Sequence, residues 1–164
     1  MSAEYFQRLA RYNRWANRRL YDAVATLDDK EWRRNRGAFF GSLRGTLNHI
    51  LVGDRAWLSR ILGTESDIQR LDQILHDDFA SLRTAREAED ARIVDLADSL
   101  TDEKLESILH YKNMAGAPHQ TRLDMVLAHL FNHQTHHRGQ AHALLSMAGA
   151  EAPELDLIFF LRES

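Results

Sequence analysis

The stretch from Leu123 to Met147 constrains the fold more than any other part of the chain. Leu123, Val126, Leu127, Leu130, Ala141, Leu144 and Leu145 recur at three- and four-residue steps, the spacing of one face of an α-helix. Continued through the middle, that apolar stripe lands on His133, Gln134 and His137. Polar side chains therefore occupy positions that face a core. Burying an imidazole without a partner costs on the order of a few kcal/mol, so each of these groups needs one.

Within this helix the segment HLFNHQTHHRGQ, His129–Gln140, carries four of the chain's nine histidines. His133 and His137 are four apart, which puts both rings on one helix face a turn apart, where they can share one metal ion. The competing reading is a pair of hydrogen-bonded core histidines. Two histidines do not complete a zinc site, which takes three or four ligands, so a metal reading requires a third from elsewhere in the fold.

Composition narrows the donors. The chain has no cysteine, which excludes disulfides, thiolate zinc sites and a cysteine nucleophile, and leaves histidine, carboxylate and water. The 164 residues suit a single domain over 1–164. A net charge of -3 implies no nucleic-acid or membrane field, and the arginines of RLARYNRWANRR and WRRNR read as solvated positions. No signal-like apolar run opens the chain and none reaches the length of a membrane span, so a cytoplasmic location is expected.

Read in order, a first helix spans residues 2–27, capped by Ser2, with Phe6, Leu9, Asn13, Ala16, Leu20, Ala23, Val24 and Leu27 facing in. Asp28–Gly41 is a loop. Ser42 caps a second helix that runs to Leu62 and stops at Gly63. Gly45, Gly53 and Ala56 form a line of small residues along it, with His49 among them. Such a line admits a close neighbour or leaves room for an imidazole to enter a cavity. His49 is the candidate third ligand; alternatively it bonds a nearby backbone group. A third helix is expected over residues 72–99, using Leu71, Leu75, Phe79, Leu82, Ile93, Leu96 and Leu100 as its core face, with residues 83–92 solvated and His76 at the surface.

Ser107–Tyr111 reads as a strand, residues 116–118 as a turn, and His119–Thr121 as a return strand. Thr121 is the expected cap of the fourth long helix, with Asp124 completing a capping box. Gly149 ends that helix. The dense apolar tail PELDLIFFLRES docks on the bundle or on a second subunit. The sum is an all-α four-helix bundle with a small β-hairpin before the fourth helix and a short C-terminal helix, a fold whose core is a common place for metal sites.

These residues resemble the DinB/YfiT-like family of metal-binding four-helix bundles. The resemblance rests on TLNHILVGDRAWLSRILG at 46–63 and LAHLFNHQTHHRGQAHALLSMAG at 127–149. YNRWANRRL at 12–20, the YKNMAG turn and the closing PELDLIFFL support it. It implies a metal triad of His49, His133 and His137; His129 and His136 lie beside the stripe, are not ligands by this mapping, and are candidates for contacting or orienting the rings that are. Arg138, Gly139 and Gln140 read as a helix-packing feature.

Three neutral imidazoles leave a tetrahedral ion one open position, and imidazole suits zinc, nickel and iron alike, with zinc or nickel the expected ion. No carboxylate general base accompanies the triad; Asp54 falls on another face and reads as a partner for an arginine. The resemblance implies a metal-dependent enzyme in which a low-molecular-weight thiol attacks a small electrophilic substrate. A metal-dependent hydrolase and a non-catalytic stress-response module are the alternatives. An aromatic-lined cleft leading to the ion would favour the enzyme; a fourth protein ligand would favour the module. The aromatic surplus at Trp15, Trp57, Phe39, Phe40 and the tail, together with the family's habit, leads us to expect a homodimer.

Overall fold

Oxygen-bearing side chains open most of the helices, by accepting the backbone N–H groups that a first turn leaves unpaired. In the computed structural model, which describes residues 1–163, α1 spans Ala3–Val24 and Ser2 Oγ accepts from the Tyr5 amide at 3.2 Å. A one-turn helix α2, Asp29–Arg33, follows and is capped by Asp28. Helix α3, Leu43–Leu62, is capped by Ser42 and ends at Gly63 in the left-handed conformation (φ 66°). Helix α4 is Phe79–Asp98, opened by Asp78, and the short α5, Asp102–Leu105, leads into the hairpin of β1 (Ile108–Lys112) and β2 (Pro118–Arg122). Helix α6 is Leu123–Met147 and α7 is Leu157–Glu163.

The architecture is a four-helix bundle of α1, α3, α4 and α6, in which α1 lies on α4 and α3 on α6. The strands pair antiparallel with Tyr111 opposite His119 and His110 opposite Gln120, just before α6. The tail docks on α1: Phe160 packs against Tyr12 and Trp15, and the Trp15 indole donates to Glu163 at 2.8 Å. No helix of the described residues is long and apolar enough to cross a membrane.

Several boundaries differ from the periodicity, each for a local reason. The third long helix starts at Phe79, not near residue 72. Ahead of it the chain is tied down by Asn48 of α3, whose carbonyl accepts from the Leu75 and His76 amides at 2.8 and 2.9 Å while its amide donates to the His76 carbonyl at 3.0 Å. These are backbone groups that a helix would satisfy internally, so the apolar spacing of Leu71 and Leu75 serves a packed loop instead. His76 is half-buried there.

Residues 83–92 are not uniformly solvated: Arg86, Glu89 and Asp90 are buried. Thr121 lies within β2 opposite Leu109, and the cap position of α6 falls to Arg122, whose side chain makes no capping bond. The hairpin does that work, since the Ser107 carbonyl accepts from the Leu123 amide at 2.9 Å. Helix α1 ends at Val24, and the 28–41 segment contains α2, which buries Trp32.

Besides a small cluster of Val52, Ala56 and Ile68, the apolar core has two large parts. One gathers Phe6, Leu58, Ile93, Leu127 and Leu130; the other gathers Leu20, Leu47, Leu51, Leu82, Leu144 and Leu145. Between them runs a polar layer contributed by all four long helices: Asn13 and Asn17 (α1), Asp54 (α3), Arg86 and Asp90 (α4), and Gln134 and Arg138 (α6), all buried. Two guanidinium groups meet two carboxylates there, so the layer can be neutral overall.

Candidate metal centre

Helices α3 and α6 pack against each other and bring three imidazoles to one point. Nε2 of His49 lies 3.1 Å from Nε2 of His133 and 3.2 Å from Nε2 of His137. Among the described residues these three are the His, Cys, Asp and Glu side chains whose ligating atoms cluster closely enough to hold one metal ion. Metal–imidazole bonds of about 2.0–2.1 Å at tetrahedral angles would set their nitrogens about 3.3 Å apart. The spacing therefore suits an ion.

The groups behind the rings fix their tautomers. Nδ1 of His49 is 2.7 Å from the Leu71 carbonyl, which can only accept, so Nδ1 carries the proton and Nε2 keeps a lone pair. Nδ1 of His137 is 2.8 Å from Oε1 of Gln140, whose amide nitrogen is 3.2 Å from Nε2 of His136. That arrangement likewise gives His137 an Nδ1–H and a lone pair on Nε2. Two ring nitrogens that both offer lone pairs thus face each other at 3.2 Å, where no hydrogen bond is available to them. A cation between them resolves the repulsion. Nδ1 of His133 is buried without a partner, so its proton can sit there and leave Nε2 for the same cation.

Electrostatics keeps the rings in their ligating form. Burial lowers the pKa of His49, and also that of His137, where the Gln140 bond opposes it. Burial, followed by the charges that neighbouring histidines would carry, pushes His133 down to about 3. Neutral imidazole is the species a metal binds.

Two glycines on α3 make room for this geometry. A Cβ at Gly53 would stand 2.7 Å from Cε1 of His133, and one at Gly45 would stand 2.0 Å from the Phe40 carbonyl oxygen. The small-residue line thus admits a ring from α6 at one end and loop backbone at the other. Held this way, Phe40 stacks on the His49 ring (centroids 3.8 Å apart, planes at 18°) and meets His137 edge-on.

On the other side of His49 and His133 a cleft of about 320 Å³ opens between α3, α6 and the hairpin. Trp57, Tyr111, His119, His129 and Met114 line it, and no acidic side chain does. A separate hollow of about 480 Å³ between α6 and the C-terminal segment touches none of the three histidines.

The structure therefore brings together His49, His133 and His137, the residues singled out in the sequence. For His49 both sequence readings hold at once, because one nitrogen bonds a backbone carbonyl while the other faces the cluster. His129 borders the cleft between Trp57 and His133, and His136 reaches the triad through Gln140. Asp54 is indeed an arginine partner, paired with Arg86 and accepting from Gln134. Arg138 is a packing residue in the polar layer, donating to Asn13 at 2.7 Å. Gln140 is more than that, since it orients His137. In the sequence it read only as part of a helix-packing feature, three positions after His137. The Leu71 carbonyl and Phe40 carried no signal at all in the sequence.

A model of the DinB family matches residues 1–164. The chain belongs to the DinB family. The protein DinB of Bacillus subtilis (strain 168) is 28% identical over 165 residues, covering 92% of this chain and 91% of that protein. The crystal structure of a DinB-like protein from Bacillus cereus ATCC 10987 shares the fold with a TM-score of 0.65 at 21% identity, covering 85% of this chain and 89% of that one. The bundle with its hairpin is thus a DinB-like fold, and its three-histidine cluster could bind a metal.

Proposed function

We propose that this DinB-family chain is a metal-dependent transferase that joins a low-molecular-weight thiol to a small electrophilic substrate, with His49, His133 and His137 as ligands to zinc or nickel. The observation that carries the reading is the facing of lone pairs on His49 and His137 beside the His133 ring, with His49 and His133 lining an open cleft. A divalent ion held there would supply Lewis acidity, stabilising a thiolate at neutral pH.

The remaining work falls to the chain's own side chains. Leu71 and Gln140 hold two rings in their ligating tautomers, and Phe40 covers one flank of the site. The aromatic cleft takes the substrate and excludes water from it. In the transfer, the thiol sulfur forms a bond to carbon as the leaving group departs with its electron pair, and the thiol proton is released to solvent. We further propose a cytoplasmic homodimer acting as a single domain; light scattering giving a mass near the 18.9 kDa of one chain would reject the dimer.

Elemental mass spectrometry of untagged protein, beside His133→Ala, tests the metal centre. About one zinc or nickel per chain, lost in the variant, is expected. Absence of stoichiometric metal after incubation with either ion would overturn the reading. A screen of thiols against electrophiles, followed by thiol consumption, then tests the transfer. No turnover with a loaded site would return the protein to the non-catalytic alternative.

A further inference from the structure

Arg60 stands apart from the other arginines around it. Arg55, on the same helix, is matched to Glu89, and Arg70, in the loop that follows the helix, to Asp72. Arg60 has no carboxylate within ion-pair distance among the described residues. It is held by other means: its guanidinium lies over Trp57 at 4.8 Å and near Tyr111 at 5.7 Å, and its Nε donates to the Lys112 carbonyl at 3.1 Å. The aromatic rings and the backbone bond fix its plane, while neither terminal nitrogen has a recorded partner. Its plane is therefore fixed in advance, while the two terminal nitrogens stay open to an oxygen-bearing group.

Its position gives the observation a direction. Arg60 borders both the cleft above His49 and His133 and a second hollow of about 640 Å³ beside it; Ala56, Asn113 and Met114 are also common to the two. The inner space is aromatic. The outer one presents Ser59, Thr64, Ser66, Gln69 and Lys112, and neither has an acidic side chain in its wall. Arg60 and Lys112 are the charged side chains of the two walls, so the walls themselves carry positive charge. A divalent ion on three neutral imidazoles would add to it, because those ligands leave its charge unbalanced.

We propose that Arg60 is an anion anchor, and that the cleft takes an elongated small molecule whose carboxylate lies on Arg60 while its apolar, reactive end reaches the histidine cluster. This rests on the functional reading above and adds the charge and layout of the ligand. Arg60 binds and positions; it does not touch the reacting atoms.

The test uses 4-(mercaptomethyl)benzoate and its uncharged primary amide on cobalt-loaded protein, where thiolate binding is read from the cobalt absorption spectrum. The acid is expected to bind at least about tenfold more tightly, about what one charge-assisted bond is worth. Arg60→Gln should shrink that preference below about threefold with cobalt content and melting temperature unchanged, and R60K should fall between. Equal binding of acid and amide by the wild type, or a preference that survives in R60Q, overturns the proposal. If the protein takes up no cobalt, the metal reading fails on its own. Benzoate against benzamide, followed through the Arg60 side-chain Nε–H resonance of metal-free protein, then decides: a shift with benzoate alone supports the anchor, and none rejects it.

Discussion

Two polar regions lie side by side in the interior of this bundle, and they are built on opposite principles. The layer of Asn13, Asn17, Asp54, Arg86, Asp90, Gln134 and Arg138 answers charge with charge. Arg86 is paired with Asp54 and sits 3.0 Å from Asp90, and Arg138 donates to the two asparagines that in turn bond Asp90. A few atoms stay unpartnered, such as Oδ1 of Asp54 and the hydroxyl of Tyr21. Each charged side chain nevertheless has a partner within the protein. The histidine cluster does the reverse. Its outer nitrogens at His49 and His137 are bonded to the protein so that the inner ones are left facing each other, next to a cleft that His49 and His133 line. A layer that closes on itself holds helices together; convergent donors that the protein leaves unanswered are kept for something that arrives.

The largest effect that would separate the two regions is Arg86→Met. Removing the central cation strands two buried carboxylates, and breaking such a pair costs about 3–5 kcal/mol. The melting temperature should drop by roughly 6–20 °C, while metal bound per folded chain stays near the wild-type value below the melt. Loss of metal with no loss of stability would mean that the layer belongs to the site.

Gly53→Ala sharpens the contrast from the other side. Its methyl must displace the His133 ring, because the two cannot occupy the 2.7 Å that separates them. Metal affinity is expected to fall about tenfold or more, with a smaller loss in stability, as judged by competition with a chelator and by thermal melting. Unchanged affinity would show that the ring is not held where the ligand set needs it.

Gln140→Leu tests the orienting bond to His137. Groups behind a ligand are typically worth about 10–100-fold in metal affinity, and about tenfold is expected here. His137 would then be free to exchange its proton to Nε2, the wrong nitrogen. An affinity within about twofold of wild type would reduce Gln140 to a packing residue.

The smallest effect is a pH dependence belonging to the layer. Burial raises the Asp54 carboxyl to about 7, with the Arg86 charge pulling the other way. A carboxyl whose folded pKa lies above its unfolded one holds its proton more tightly in the folded state. Its contribution to stability therefore falls as pH rises from the ordinary aspartate range through about 7, and is level beyond. The histidines, whose folded pKa values are lowered, act in the opposite sense: they cost stability as pH falls below the ordinary histidine range. The difference between wild type and Asp54→Asn isolates the carboxyl. Between pH 5 and 8 the wild type should lose a few degrees of melting temperature relative to the variant, at roughly 2–4 °C per kcal/mol. A difference that is flat or of opposite slope would place a stable charge on Asp54.

Much of this was legible along the chain. The periods of α1, α3 and α6, the caps at Ser2 and Ser42 and the stops at Gly63 and Gly149 follow from local stereochemistry that a sequence carries in full. The spacing of His133 and His137 on one helix is of the same kind. Less legible was everything in which a side chain replaces a neighbour's secondary structure. Asn48 holds the 75–76 backbone out of a helix despite favourable leucines, and the hairpin, not Thr121, satisfies the start of α6. The arginine-rich run of α4 looked solvated because the acids that bury Arg86 lie on α3 and one turn along.

The sequence by itself therefore determined that four long helices form, which apolar faces α1, α3 and α6 turn inward and that an imidazole pair shares one of those faces, because each depends on residues within a turn or two of one another. Only the tertiary structure decided that His49 stands about 3 Å from that pair, that the Leu71 carbonyl sets its tautomer, that Gly53 leaves space for the His133 ring, and that Arg60, bonded to the Lys112 carbonyl, borders the same cleft with no carboxylate beside it. Those relations join positions tens of residues apart, and no local preference encodes them; they exist only once α3, α6 and the hairpin have packed.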